Sequence, residues 1–280
     1  MLEQADRALE LLTTPQSDPG EAVHQARRRF KRIRGVLRLV REEIGEKCYR
    51  RENACYRDAG RRLSLLRDSL VIRQTLEACA QRWPDPAAAG AHAELRRALL
   101  AADAMRQMAT PEVMADVAGT IHQARRRVEA WPLRRDDFAA LRGGLKPAWR
   151  SARESMKTAL EVGDVESFHN WRKQTGYLRS QMRILQPLRP RALNALIRGL
   201  EQIEDPLSED HDLALLRQWL QTVLETIPEA RPAEALPELI AGRQLELRGQ
   251  AEAMGRRLFA ESAGDFTDRL EQYWKEARAR

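Results

Sequence analysis

Cysteine is scarce: Cys48, Cys55 and Cys79 are the three in 280 residues, with no CxxC pair among them. That excludes a disulfide scaffold or a paired-thiolate site and fits small buried thiols in a reducing compartment. Valine and isoleucine are few and alternating apolar patterns are rare, which argues against β-structure. No apolar run approaches the ~20 residues that span a bilayer, so no membrane association is expected. There is no glycine-rich phosphate loop and no supported Ser/His/Asp or Cys/His arrangement. Helix-turn-helix, zinc-finger and RRM signatures are also missing. The opening Met1-Leu-Glu-Gln-Ala-Asp has neither the basic nor the apolar part of a signal peptide. The expectation is a cytoplasmic protein, not an enzyme, that uses no cofactor and no metal.

What is abundant is helix-forming material: Ala, Leu, Arg and Glu dominate. The apolar spacing predicts an all-α chain, with helices over Leu2–Thr13, Pro19–Glu46, Glu52–Arg82, Ala91–Met108, Pro111–Trp131 and Asp137–Val162. Val165–Leu185, Arg189–Asp205, Glu209–Ile227, Ala235 to near Ala263, and Asp265–Arg278 follow. Breaks are expected at Trp83-Pro, Trp131-Pro, Gln186-Pro-Leu-Arg-Pro and 228–237. Asp18-Pro-Gly-Glu21 and Asp164-Val-Glu166 read as helix starts.

Two of these helices begin alike. His24-Gln-Ala-Arg27-Arg28 and His169-Asn-Trp-Arg172-Lys173 superpose at a shift of 169 − 24 = 145 positions, which also pairs Arg34 with Arg179 and Arg38 with Arg183. Near the same offset, Leu63-Ser-Leu-Leu-Arg-Asp68 matches Leu207-Ser-Glu-Asp-His211-Asp212. A period this long means duplication rather than a solenoid. It predicts two four-helix-type bundles related by a pseudo-twofold axis, one in residues 1–134 and one in 135–280.

The charge is unevenly placed. Lys+Arg is 48 against Asp+Glu 41, for a net +7. Yet 22–41 contains eight basic residues and no acid, and 167–200 contains seven and no acid. On a helix turning ~100° per residue, Arg27, Arg28, Lys31, Arg34 and Arg38 fall within roughly 80° of His24. In the second copy His169, Arg172, Lys173, Arg179 and Arg183 share a face. Lys146, Arg150, Arg153 and Lys157 make a third, less pure stripe. An ordinary solvated face interleaves acids with bases, because like charges at i,i+4 repel. Here the repulsion is uncompensated twice. Arginine predominates, and its planar fork suits phosphate oxygens. These fifteen residues are the candidate polyanion-binding set.

The His24-x-x-Arg27 and His169-x-x-Arg172-Lys173 starts, with Leu207-Ser-Glu-Asp-His-Asp-Leu-Ala-Leu-Leu216, resemble the conserved histidine α-helical domain (CHAD) family. Gly255-Arg-Arg-Leu-Phe-Ala-Glu261, Phe266 and Tyr273-Trp274 are similar to that family's C-terminal pattern. The resemblance implies a cationic central groove or pore that binds inorganic polyphosphate without catalysis, either on polyphosphate granules or as a scaffold. The implied partners are polyphosphate and granule or polyphosphate-metabolising proteins. Gly176 departs from the pattern, which has Lys at this counterpart of Lys31, and Ala263-Gly264 stands where the family often has Lys-Pro. No ExExK string, the mark of the triphosphate-hydrolysing domain fused to some members, is present; the nearest, Glu43-Ile-Gly-Glu46-Lys47, has the wrong spacing.

Two other readings compete. RNA offers the same phosphates, but single-strand readers interleave aromatics with charge. The first basic face has none, and only Tyr177 borders the second. A di-metal bundle is suggested by Glu21-x-x-His24 and Glu166-x-x-His169, with Asp68 and Asp212 as further ligands. Each His, however, is followed by cations at i+3 and i+4, which repel a metal ion. Asp68 and Asp212 are more simply read as clamps for arginines. His122-Gln-Ala-Arg-Arg-Arg127 echoes the string at His24, but Glu129 and Trp131-Pro132 cut it short.

Overall fold

The computed structural model describes residues 1–14, 19–64, 68–85, 89–133, 135–223 and 235–279, and for residues 68–69, 89 and 102–110 the backbone alone. The expected cap at Asp18 lies outside these residues. Among the described residues every regular element is helical: α1 (Leu2–Thr13), α2 (Pro19–Leu39), α3 (Arg41–Ile44), α4 (Glu46–Ser64), α5 (Asp68–Arg82) and α6 (Ala89–Val128). Then come α7 (Ala139–Val162), α8 (Val165–Leu185), a 3-10 turn (Gln186–Leu188), α9 (Pro190–Val223), α10 (Leu236–Leu258) and α11 (Ala263–Arg278). Among the described residues no helix is long and apolar enough to cross a membrane.

Local chemistry sets several boundaries. Gly163 closes α7 in the left-handed region at φ 75°, and Asp164 caps α8 by accepting from the Ser167 N–H at 2.7 Å. Ser262 caps α11 by accepting from the Asp265 N–H. The predicted Pro19–Glu46 helix instead ends at Leu39, and the predicted Glu52 start moves back to Glu46. Gly45 takes φ 76°, a conformation that stops a helix and favours glycine. Two predicted interruptions are absent: α6 continues through Pro111 and α9 through Pro206. A proline inside a helix costs about 3 kcal/mol. The cores on either side of each proline offset it.

Among the described residues three cores form. The first joins α1, α2, α4 and the C-terminal part of α6 around Phe30, Ile33, Tyr56, Leu63 and Ile121. The second joins α7, α8, the first half of α9 and α11 around Trp149, Trp171, Met182, Leu200 and Phe266, and it also buries Leu39 from the end of α2. Trp149 stacks on Phe266 with ring centroids 4.0 Å apart. The third is shared between the two halves of the sequence. Leu76 and Cys79 of α5 and Leu95 and Leu99 of α6 meet Leu213, Leu216 and Leu220 of α9 and Ile240 and Leu247 of α10. The duplication predicts a core within each half; the shared core is an addition to that picture. All three cysteines are free, and burial pushes the Cys79 thiol up to about 11.

Close helix approach depends on particular glycines. A Cβ on Gly144 of α7 would lie 2.2 Å from the carbonyl oxygen of Leu39 at the end of α2. Backbone cannot yield as a flexible side chain would. Gly144→Ala is therefore expected to destabilise the fold by about 1–3 kcal/mol, overpacking outweighing the helix-propensity gain. Gly249→Ala, where an added Cβ meets nothing within 4 Å, should instead stabilise by about 0.5–1 kcal/mol. Urea unfolding of the two variants measures both signs.

Candidate functional site

The two histidine–arginine helices pack directly on each other. At the crossing, Gly35 of α2 faces Ser180 of α8 so closely that a Cβ on Gly35 would lie 2.9 Å from the Ser180 Cβ. The buried Gln181 amide donates to the Gly35 carbonyl at 3.5 Å. Gly35 and Ser180 are themselves 145 positions apart. The crossing gathers cations from both copies into one region.

On the first copy's side, Arg34 Nε and Arg38 Nη1 donate to the same acceptor, Oδ1 of Asn53 on α4, at 3.0 and 3.1 Å. Both guanidinium groups also lie over the buried Tyr177 ring, Arg38 at 3.7 Å from its centroid and Arg34 at 5.3 Å. These partners orient the two cations without cancelling their charge. Burial, and then the nearby Arg38, push Arg34 below its usual pKa. Lys173 joins this side: burial lowers its pKa, and Arg34, Arg38 and Arg61 add to that against the pull of Glu166.

The second copy's counterparts are held differently. Arg179 donates from Nη2 to Glu204 Oε1 at 3.1 Å, with its Nε 2.8 Å from Oε2 in an ion-pair contact outside hydrogen-bond geometry, and reaches Glu201 at 3.4 Å. Arg183 Nη2 pairs with Glu201 at 2.5 Å. Both acids come from α9, just beyond the acid-free stretch that ends at Leu200. Arg32 stands 145 positions before Tyr177, and it is crowded rather than stacked. Its pKa falls through burial and then through Arg29, Arg28, Arg183 and Arg179. Glu204 approaches the bare Gly176, whose Cβ position would be 3.2 Å from Glu204 Oε1. Burial raises the Glu204 carboxyl above its usual range against the pull of Arg179, Lys31 and Arg172.

A pair of histidines completes the cluster. His169 Nδ1 and His211 Nδ1 are 3.2 Å apart, with ring centroids at 4.4 Å. One ring must donate and the other accept. Burial, then Arg172, depress both: His169 to about 4, with Lys173 and Lys31 contributing, and His211 to about 3, with Lys31 and Arg27 contributing. Both imidazoles are therefore neutral at pH 7. Arg27 and Lys31 of α2 thus add to the field that keeps the α8–α9 histidine pair neutral. Sequence reasoning left out His211, Asn53, Arg32, Glu201 and Glu204. Two of them carried a visible signal, His211 by its place in the Leu207–Leu216 string and Arg32 by its place in the acid-free run 22–41.

The other candidates are distributed as follows. His24 and Arg27 are half-buried on α2, and Arg28 and Lys31 are exposed. On α7, Lys146, Arg150 and Lys157 are exposed and Arg153 half-buried. Among the described residues that stripe makes no hydrogen bond, ion pair or ring contact with the α2–α8 cluster. Asp68 lies outside the described side chains. Asp212 lines a cavity of about 380 Å³ between α5, α9 and α10, with Arg82 and Arg243 on the same wall. The Arg125–Arg127 echo serves packing: Arg127 forks onto the fully buried Glu52, and Arg125 pairs with Asp6. Among the described residues no three His, Cys, Asp or Glu side chains gather as a metal site would require.

A family model described as CHAD domain matches residues 1–221. The match stops short of the Gly255–Glu261 string. No curated protein matches the chain at a significant level.

The histidine pair carries a stability signature. An unfolded imidazole binds a proton near pH 6.5, whereas these resist until about pH 4 and 3. Between those limits the unfolded chain holds more protons, so stability is full above about pH 6.5 and falls as pH drops toward 4. Each histidine withdraws up to about 3 kcal/mol over that window. Chemical denaturation from pH 7 to 4 should show a flatter profile for His169→Asn/His211→Asn than for the unaltered chain. Identical slopes would mean that the pair does not resist protonation in the fold.

Proposed function

The chain belongs to the CHAD family, and we propose that it binds inorganic polyphosphate without hydrolysing it, through the cations gathered where α2 and α8 cross. The observation that carries this reading is the setting of Arg34 and Arg38. They are fixed by Asn53 and Tyr177, neutral groups that leave their charge for an incoming anion. Holding guanidinium forks in place beforehand removes part of the ordering cost of binding. Arg27, Lys31, Arg172 and Lys173 enlarge the field, and the neutral His169–His211 pair keeps one ring N–H free to donate. In this reading the two halves are related by a pseudo-twofold axis near Gly35 and Ser180, and the contact between those two counterparts supports it. Polyphosphate granules and polyphosphate-handling proteins are the proposed setting.

RNA is the nearest alternative, and one observation weighs against it. Tyr177, the aromatic bordering the basic faces, is 5% exposed and covered by Arg34 and Arg38. Its ring is committed to the cations, which leaves base stacking without a platform on this face.

Direct competition decides between the two. Polyphosphate and single-stranded RNA, matched in total phosphate, should compete with polyphosphate favoured, and affinity should fall steeply with salt. Preference for RNA would reverse the assignment, and release of orthophosphate would make the protein a hydrolase. Arg34→Gln/Arg38→Gln should weaken polyphosphate binding roughly 10- to 100-fold, the loss of two charge-assisted contacts. Because neither arginine forms an ion pair with an acid among the described residues, the melting temperature should change little. Unchanged affinity in that variant would place the ligand elsewhere.

A further inference from the structure

The two halves of the basic cluster present counterpart arginines in opposite electrostatic states. Arg34 and Arg38 rest on neutral groups, while Arg179 and Arg183 are engaged by Glu204 and Glu201. In the Arg179–Glu204 ion pair, carboxylate oxygens stand against the guanidinium where phosphate oxygens would otherwise meet it. Glu204 stands in the space a side chain at residue 176 would enter, because the counterpart of Lys31 is Gly176. Three features of one patch therefore agree: a missing lysine, a carboxylate near its place, and an arginine already paired with that carboxylate.

We propose that Glu201 and Glu204 act as a built-in counter-anion that occupies the ligand faces of Arg179 and Arg183. The polyanion is thereby gripped on the Arg34–Arg38 side and contacts the second pair only by displacing these carboxylates. The acids are specificity-determining residues: they make a duplicated site one-sided and set how many phosphates it engages. Displacement is unfavourable because it would leave Glu204, which is 18% exposed, beside phosphate oxygens of the same charge. A purely structural role, relief of the crowding among Arg32, Arg179 and Arg183, makes a different prediction: removing the acids would destabilise the fold without freeing any contact.

The inference rests on the polyphosphate reading, and the test separates the two. Inorganic polyphosphate of fixed length is titrated into the full chain, Glu201→Gln/Glu204→Gln, Arg183→Gln, and the triple variant combining all three substitutions. Neutralising the acids should tighten binding about 10-fold and steepen the salt dependence by about one released counterion or more. Arg183→Gln alone should change affinity less than about 2-fold, yet in the acid-neutralised background it should remove much of the gain. If Arg183→Gln weakens the unaltered chain well beyond 2-fold, the second pair is already engaged and the inference falls. It also falls if neutralising the acids leaves affinity unchanged in a folded protein. Should the double substitution not fold, Glu201→Gln alone gives the same comparison at the more exposed acid. Absence of binding in every variant would overturn the polyphosphate reading and the inference with it, whereas binding indifferent to residues 201 and 204 overturns only the inference.

Discussion

The approach of α2 to α8 at Gly35 and Ser180 is the constraint on which the site depends. Each helix alone is amphipathic with a cationic face, and like charges along it repel. Packing two such helices together compounds the repulsion. The fold tolerates this because the contact itself is made by small or neutral residues, Gly35, Ser180 and Gln181, with Leu39 and Gly144 locking the end of α2 against α7. The apolar faces of α2 and α8 are meanwhile buried in separate cores. Hydrophobic burial on the outer sides thus holds together two inner faces that electrostatics alone would separate.

The cost of gathering cations is met in two ways within one molecule. In the first half a side-chain amide and an aromatic ring hold the arginines, which preserves the positive potential. In the second half carboxylates do so, which removes much of it. The difference traces to single positions. Tyr177 stands where the other copy has Arg32, and Gly176 where it has Lys31. A few side chains at sequence-equivalent positions thus give the two sets of arginines unequal charge.

Much of this is legible in the sequence. Helices α1 and α8 begin and end where the sequence predicts, because an apolar stripe and, for α8, the Asp164 cap coincide there. The histidine and arginine positions on α2 and α8 were also readable, since they rest on helical periodicity alone. The continuity of α6 and α9 was hidden: Pro111 and Pro206 signal a break locally, and only burial on both sides overrides it. Glu201 and Glu204 were hidden because they belong to a different helix from the arginines they engage. His211 lies 42 positions from His169, a separation at which no local pattern can bring two side chains together.

The core shared between the halves has a consequence for how the chain is assembled. Leu76, Leu95 and Leu99 leave the ribosome well before their partners at 213–247 exist. The first core can close early, since all of it lies between Ala5 and Ala124. Helix α5 and the start of α6 must wait as an apolar hairpin until α10 has been made. Long-range closure of this kind is slow and leaves greasy surface open to wrong partners in the interval. Of the cores among the described residues, this one therefore leaves apolar surface uncovered for the longest stretch of synthesis.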